Sequence, residues 1–270
     1  MNKQSVIIDK NRFQAICEKK LCKLTQHYTV ILPHVLLEEC LTTEKGLPLS
    51  LLKKAEAVIK AGAFVSFSRG KILETEESTL SPLDSIIDEI VTEQIRNNCI
   101  EDLQIDFQNE AVECSKSIEP LVNFSRETGQ KFWNTLSDKP YSKDWRQSDD
   151  DNNPNIRFKK WAGAFNEKMM RAYIDRLYPD TSLYIQDNWI TWHLIRIILI
   201  CGVEWAYKRN MSGESYEDFN ITNDVYDIEY ALCLACSDAL FSQDKKLTIL
   251  SKTIFPQKQY YTDYSELLVF

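Results

Sequence analysis

Four aspartates lie within one apolar stretch of the chain, residues 223–247. They are Asp224, Asp227, Asp238 and Asp244. Carboxylates usually avoid such surroundings, because burying a charge without a partner costs free energy. Crowded carboxylates also repel one another, and each raises the pKa of its neighbours. A hard divalent cation such as Mg²⁺ or Mn²⁺ relieves this repulsion, since these ions prefer oxygen ligands. The residue types therefore suggest a metal ion held by acidic side chains.

Other acidic residues follow apolar runs elsewhere in the chain. Asp9 ends the apolar run at residues 5–9, and Glu38 and Glu39 come shortly after a second run. Taken alone, each acid has a structural explanation, because aspartates cap helices and glutamates often face solvent. For Asp238 the explanation as a turn residue is the stronger one, although it remains a candidate supporting group. The recurrence of acids after apolar runs is what favours a shared site.

Strand-like runs alternate with segments of helical spacing in the amino-terminal part of the chain. The strand-like runs there are residues 5–9, 28–32 and 63–68. The alternation returns near the carboxyl terminus, with a helix at 224–236, a short strand at 239–242 and a helix from residue 245. This pattern predicts an α/β fold with a mostly parallel central sheet flanked by helices.

Such a sheet would bring the acids together. Ligand sites in open parallel sheets lie at the carboxyl ends of the strands. Asp9 follows the first predicted strand, Asp244 follows a late one, and the adjacent glutamates follow the second. Asp224 and Asp227 are three residues apart, so both project from one face of a helix. We therefore expect one carboxylate-rich edge, with the choice within each acidic pair left open.

The middle of the chain lacks strand-like runs and predicts a large helical insertion at residues 72–215. Residues 1–71 and 216–270 would then form one discontinuous α/β domain. Ser81, followed by proline, is expected to cap a helix there. Residues 157–178 predict a single amphipathic helix, whose apolar stripe includes Phe158, Trp161, Phe165, Met169 and Ala172.

Basic residues on this helix are candidates for contact with a nucleic-acid strand. Together with Lys10, the candidate cations are Lys159, Lys160, Lys168 and Arg171. Trp161 could stack on a base beside them. The structural explanation is the stronger one, because lysines on helices are usually solvated and Trp161 lies on the apolar stripe.

Composition narrows the classes of protein. The formal net charge of -8 argues against a surface covered with basic residues for non-specific nucleic-acid binding. No export signal is evident, and the eight cysteines suggest reduced thiols, so we expect a cytoplasmic location. The most apolar run, residues 191–203, is short for a membrane span and predicts a buried helix. His193 and Arg196 within it either form a buried hydrogen-bonded pair, which is the favoured interpretation, or point into the site.

Four segments carry a resemblance to a known family. They are IIDKN (7–11), ILPHVLLEEC (31–40), NDVYDIEY (223–230) and DALFSQDKKL (238–247). IIDKN resembles the opening strand of the PIN-domain nucleases, in which an aspartate is followed two residues later by Asn. DALFSQDKKL is similar to the late strand of that family, where a hydroxyl residue, a spacer and an aspartate occur in series. The acidic helix start resembles that of larger bacterial PIN-like proteins.

The resemblance implies a Rossmann-like PIN domain and a metal site built from specific residues. By matching positions, the catalytic and metal-binding candidates are Asp9, Glu39 with Glu38 as the alternative, Asp224, Asp227 and Asp244. Asn11, Ser242 and Asp238 would support them, and Mg²⁺ or Mn²⁺ is the implied cofactor. Lys10 departs from the family, which commonly has a small hydroxyl residue after the first aspartate. The chain also differs from small PIN toxins in the long separation of its matching segments.

The function implied is that of a divalent-metal-dependent endonuclease, a hydrolase of phosphodiester bonds. RNA is the favoured substrate, and the role is left open between a toxin, an antiviral defence effector and a housekeeping nuclease. An inhibitor protein or an effector complex would be its partner, without a membrane. The alternatives are a non-catalytic PIN-like module that binds a protein, and a nuclease that acts on single-stranded DNA. Digestion of both nucleic acids with metal and with chelator distinguishes these hypotheses.

Overall fold

One sheet of five strands forms the centre of the protein. The protein is represented by a computed structural model, which describes residues 3–42, 48–98, 120, 122–135, 153–213 and 221–268. The strands are β1 (Ser5–Ile8), β2 (Thr29–Leu32), β3 (Phe64–Val65), β4 (Ala239–Phe241) and β5 (Gln259–Tyr261). Their order is β3-β2-β1-β4-β5, and all neighbouring pairs are parallel. The predicted α/β class with a parallel central sheet is confirmed.

The inner strands are buried on both faces, which explains their continuous apolar sequences. Ile7 of β1 lies between Ile31 of β2 and Leu240 of β4, and all three are buried. The edge strand β5 was not predicted from the sequence. Its residues, Gln259–Tyr261, are exposed or half-buried, so they lack the apolar run that marked the other strands.

Helices occupy both the connections of the sheet and the long segment between β3 and β4. In chain order they are α1 (Lys10–Ala15), α2 (Glu18–Leu24), α3 (His34–Thr42), α4 (Pro48–Lys60), α5 (Arg69–Thr79), α6 (Glu89–Asn97), α7 (122–135), α8 (Pro154–Ala164), α9 (Glu167–Leu177), α10 (Ile190–Ser212), α11 (Ile221–Cys233) and α12 (Lys245–Ile254). Short 3₁₀ turns span Leu234–Cys236 and Tyr264–Leu268. Each neighbouring pair of parallel strands is thus linked through at least one helix.

The described residues between β3 and β4 are helical apart from loops and one isolated antiparallel bridge between Ser66 and Ile87. Trp161 and Trp205 from these helices belong to the same buried cluster as the strands. The helical region therefore shares one hydrophobic core with the sheet. The predicted domain boundary at residues 215 and 216 lies outside the described residues, so the division into domains stays a prediction.

The single amphipathic helix predicted at residues 157–178 is wrong, because the chain breaks into α8 and α9. Phe165 leaves helical geometry, and the side chain of Asn166 caps α9 by accepting a hydrogen bond from the amide of Met169. The break rotates the second half of the stripe. Met170 and Ile174 are buried there, whereas Ala172 is exposed.

The predicted helix start at Ser81 is also wrong. Asp88 caps α6 instead, and its carboxylate accepts a hydrogen bond from the amide of Val91 at 2.9 Å. The segment before it contains turns and the bridge at Ile87. A serine before proline is a weak local signal, and here the pairing of Ile87 with Ser66 delays the helix.

The apolar run at residues 191–203 belongs to the long helix α10. By length and composition α10 could cross a membrane, but 83% of its apolar window is buried inside the protein, as in a core helix. Its first amides donate to the buried carboxylate of Glu76. Within the described residues no hydrogen bond joins His193 to Arg196; His193 instead packs edge-on against Phe255, 4.7 Å between ring centroids. The expected hydrogen-bonded pair is therefore wrong.

Candidate functional site

A polar cavity of about 190 Å³ lies at the carboxyl ends of the central strands. Its lining residues are Asp9, Lys10, Asn11, Glu39, Tyr226, Asp227, Tyr230 and Asp244. They come from four segments: the end of β1 with α1, helix α3, helix α11, and the end of β4. The sheet brings these segments together because β1 and β4 are adjacent and parallel. Four of the predicted carboxylates thus line one cavity.

Asp9 is held firmly at the end of β1. Its Oδ1 accepts a hydrogen bond from the amide of Asn11 at 2.8 Å, and its Oδ2 accepts one from the hydroxyl of Ser242 at 2.5 Å. Burial raises the pKa of Asp9, and the neighbouring Asp244 carboxylate adds to the rise, while the two hydrogen bonds oppose it. Asp9 is therefore both the cap of α1 and a wall of the cavity.

Ser242 connects two of the acids. Besides donating to Asp9, its buried hydroxyl accepts a hydrogen bond from the amide of Asp244 at 2.9 Å. The carboxylate of Asp244 then caps α12 by accepting from the amide of Leu247 at 2.9 Å. The end of β4 and the start of α12 thereby place Asp244 opposite Asp9.

Glu39 is the glutamate of its pair that lines the cavity. Its Oε2 accepts a hydrogen bond from the hydroxyl of Tyr230 at 2.7 Å, and Lys10 Nζ lies 3.4 Å from its Oε1. Burial raises the pKa of Glu39, and both of these contacts lower it in part. Glu38 points elsewhere, with its Oε1 2.9 Å from Nδ1 of His34. The candidate role of Glu38 as a metal ligand is therefore corrected in favour of Glu39.

The two aspartates of α11 have different surroundings. Asp227 lines the cavity, and burial together with the Asp244 carboxylate raises its pKa to about 8, while Lys246 opposes the rise. Asp224 has both oxygens engaged outside the cavity lining. Its Oδ2 accepts from Nε1 of Trp205 at 2.6 Å, and its Oδ1 pairs with Lys246. Asp227 is thus the ligand candidate, and Asp224 is removed from that set.

Asp238 does not join this group, which corrects its predicted role as a supporting residue. It precedes β4, and its carboxylate accepts hydrogen bonds at 2.8 Å from both the amide and the hydroxyl of Ser5, the first residue of β1. In a parallel sheet, residues that precede the strands lie at their amino ends, and residues that follow the strands lie at the opposite, carboxyl ends. Asp238 therefore ties together the amino ends of the two central strands.

Among the candidate cations, Lys10 is the one found among the described lining residues of the cavity. Arg171 is engaged elsewhere, since it donates to the carbonyl of Ile185 and lies 5.0 Å from the ring of Trp192. Lys160 lies 5.6 Å from the ring of Trp161. Lys159 and Lys168 are exposed on α8 and α9.

Trp161 has no exposed surface, and its Nε1 donates to Glu204 at 2.9 Å. It is a core residue and cannot stack on a base, so the structural explanation holds for it. The sequence analysis also missed Tyr230, Tyr226 and Lys246. Tyr230 follows Asp227 by three residues and Tyr226 by four, and this helical spacing is the signal that could have indicated the tyrosines.

The donor chemistry of the cavity fits a hard divalent cation. Within the described residues, no three acidic, histidine or cysteine side chains are already gathered in a way that could hold an ion. Mg²⁺ does not require such a cluster, because it commonly keeps several waters and binds through one or two carboxylates. A polar cavity of about 190 Å³ has room for an ion with its waters, each occupying about 30 Å³. Burial, with a smaller contribution from neighbouring carboxylates, raises the pKa of Asp9, Glu39 and Asp227, and a bound cation would favour their charged forms.

Comparison of the chain with protein-family models, with curated proteins and with solved structures returned no match. The resemblance to PIN-domain nucleases therefore rests on the residues and their placement, and it stays an interpretation. The class of protein defined by the fold is an α/β protein with a five-stranded parallel sheet and an acidic cavity at its carboxyl edge.

Proposed function

We propose that the protein is a divalent-metal-dependent nuclease of the PIN type, with RNA as its favoured substrate. The observation that carries the proposal is the arrival of Asp9, Glu39, Asp227 and Asp244 from four separate segments at one polar cavity. Isolated helix caps would have no reason to share a cavity. Buried carboxylates whose pKa is raised by burial and by a neighbouring charge, as for Asp9, Glu39 and Asp227, are typical of sites used in binding or catalysis.

The four carboxylates would hold Mg²⁺ or Mn²⁺. When bound, such an ion activates water and stabilises the charge that develops at phosphorus. Ser242 orients Asp9 through its hydroxyl, and Tyr230 orients Glu39 in the same way. These two contacts restrict the carboxylates to defined positions before substrate arrives.

Lys10 would contact the substrate phosphate. Its ammonium lies at the cavity wall beside Glu39, so it can offset part of the repulsion between acidic protein and anionic substrate. The preference for RNA comes from the family resemblance. The biological context that we favour is a toxin or an antiviral defence effector of the cytoplasm, controlled by an inhibitor protein or an effector complex.

The test is digestion of labelled RNA and labelled single-stranded DNA with Mg²⁺ or Mn²⁺, and with chelator. The parent is expected to cleave RNA faster than DNA and to stop in chelator. Asp9→Asn and Asp227→Asn should lose cleavage. Asp238→Asn is the matched control, because it removes the same charge at the opposite edge of the same sheet. Equal losses in all three variants, or cleavage that persists in chelator, would contradict the proposal.

Metal binding is measured separately by thermal melting. An ion that binds only the folded state raises the melting temperature, so Mn²⁺ should stabilise the parent more than Asp9→Asn or Asp244→Asn. Asn keeps the size of the side chain and caps helices well, so the variants should stay folded. A parent that responds to metal yet cleaves neither nucleic acid would favour a non-catalytic, protein-binding module. Equal responses in all three proteins would exclude a shared metal site.

A further inference from the structure

Lys246 is a second cation beside the acidic cavity. It follows Asp244 by two residues on α12, and its Nζ forms an ion pair with Oδ1 of Asp224 on α11. The side chains of Lys246 and Asp224 are only 31% and 14% exposed. The pair therefore joins the helix that starts at Asp244 to the helix that carries Asp227.

Asp224 is fixed from a third direction. Its second oxygen accepts the hydrogen bond from Nε1 of Trp205, a buried residue of α10. Since Asp224 is held by Trp205, the ammonium that pairs with it is held as well. Asp227 lies one helical turn further along α11, so Lys246 is paired with the face of α11 that also carries a cavity carboxylate.

The charges around this position are unbalanced without Lys246. Asp224 and Asp227 lie on one face of α11, and Asp244 caps the helix that carries Lys246. Among the described residues, Lys246 is the cation that forms an ion pair with one of these three carboxylates. The other cation at the cavity, Lys10, is paired with Glu39 of α3. Lys246 is thus placed to compensate the carboxylates of α11 and the carboxylate of Asp244.

We propose that Lys246 is an internal counter-ion of the acidic cavity. Its ammonium offsets the repulsion among Asp224, Asp227 and Asp244 when no divalent ion is bound, and it weakens the binding of such an ion. The second half of this inference rests on the proposed function, whereas the first half does not. Lys246 is a positioning residue rather than a catalytic one, because it acts through the carboxylates.

The first test uses metal-free protein in chelator at pH 9, an alkaline pH that favours the ionised form of carboxyl groups. Lys246→Met keeps most of the aliphatic stem and removes the charge, so it should lower the melting temperature. Asp227→Asn should then raise the melting temperature more in the Lys246→Met background than in the parent. An ion pair that served Asp224 alone would give the same effect of Asp227→Asn in both backgrounds, and that result overturns the inference.

The second test is a titration with Mn²⁺ followed by melting. Removing one positive charge near a divalent ion should tighten its binding on the order of fivefold in Lys246→Met. Asp224→Asn should weaken binding, because the ammonium loses its partner and keeps its charge. The double variant should return close to the parent, since one charge of each sign is removed.

Two controls define the role of charge. Lys246→Arg keeps the positive charge and should respond to Mn²⁺ as the parent does. Lys245→Met removes a charge from the exposed neighbouring residue and should also leave the response unchanged. If Lys246→Met responds like Lys245→Met, the pair is purely structural and the inference is overturned. A parent that ignores Mn²⁺ and Mg²⁺ refutes the metal site and with it the effect of Lys246 on metal binding, while the coupling in chelator still decides whether Lys246 compensates Asp227.

Discussion

The helical region and the sheet edge both contain buried acids, but they satisfy them differently. In the helical region the carboxylate of Glu204 accepts hydrogen bonds from Nη2 of Arg157 at 2.7 Å and from Nε1 of Trp161 at 2.9 Å. Glu76 accepts hydrogen bonds from the amide of Ile190 and from both the amide and the hydroxyl of Thr191. These carboxylates are matched by donors that belong to the scaffold.

At the sheet edge the carboxylates face a cavity and one another. Asp9 and Asp227 have raised pKa values, to which the charge of Asp244 contributes in both cases after burial. Among the described residues, no arginine forms an ion pair with Asp9 or Asp227 as Arg157 does with Glu204, although the charge of Arg12 lowers the pKa of Asp9 in part. The difference teaches that a buried acid with a full set of donors stabilises structure, whereas acids sharing a cavity are available to an external cation.

The largest expected effect separates the two regions by activity. Asp9→Asn should reduce cleavage by about 100-fold or more while the protein stays folded, because a ligand of the proposed ion is lost. Glu204→Gln should retain cleavage by the protein that remains folded. Initial rates on labelled RNA, normalised to the folded fraction, provide the measurement. A similar loss of rate in both variants would remove the distinction between the regions.

The next effect concerns stability in the helical region. Arg157→Met leaves Glu204 buried without its cation and should lower the free energy of unfolding by about 3 kcal/mol. Adding Glu204→Gln should recover part of that loss, because the amide carries no charge and still accepts from Trp161. Urea denaturation measures both variants. If the single variant unfolds at the parent's urea concentration, Glu204 is not the matched acid that its contacts indicate.

A smaller effect is expected in the pH dependence of stability, and it arises from the acidic cavity. The pKa of Asp227 is raised from 3.8 to about 8 in the folded protein, so its contribution to stability is full below pH 3.8 and is lost as pH rises through about 8. Without metal, the parent should therefore lose melting temperature between pH 6 and pH 9 more steeply than Asp227→Asn. Stabilisation by Mn²⁺ should grow over the same range, since the ion competes with the proton. Parallel pH profiles for parent and variant would contradict this assignment.

The smallest effect compares two buried serines. Ser242→Ala removes the hydroxyl that joins Asp9 to the amide of Asp244, and should cost about 1 kcal/mol of stability and slow cleavage. Ser251 is equally buried, but its hydroxyl has no hydrogen-bond partner among the described residues. Ser251→Ala should therefore change neither quantity appreciably. Urea denaturation and initial rates measure both, and a Ser251 effect as large as that of Ser242 would show that volume matters more than the hydrogen bonds.

Local sequence patterns were sufficient for much of the scaffold. Strands β1 to β4 are short apolar runs, and the three inner ones, β1, β2 and β4, require such runs because they are buried on both faces. Asp9 and Asp244 follow strands directly in the sequence. Their arrival at one edge was therefore predictable, because parallel strands place their carboxyl ends together.

Some local features still misled the prediction. Strand β5 was missed because its residues are exposed or half-buried and form no apolar run, unlike those of the other edge strand, β3. The break at Phe165 and Asn166 was hidden because the apolar spacing continues across it, with only a change of face. In both places several local sequence signals compete, and the apolar periodicity does not show which of them determines the structure.

The tertiary structure decides which member of each acidic pair lines the cavity. Glu38 and Glu39 are adjacent on one helix, and which of them faces the cavity depends on how α3 rotates against α11, where Tyr230 meets Glu39. Trp205 of α10 and Lys246 of α12 engage the carboxylate of Asp224, whereas Asp227 lines the cavity. The sequence by itself determined which residues could carry charge at the sheet edge. Their division into cavity ligands and internal ion pairs arose only from contacts between segments far apart in the chain, because helix rotation is set by packing rather than by local spacing.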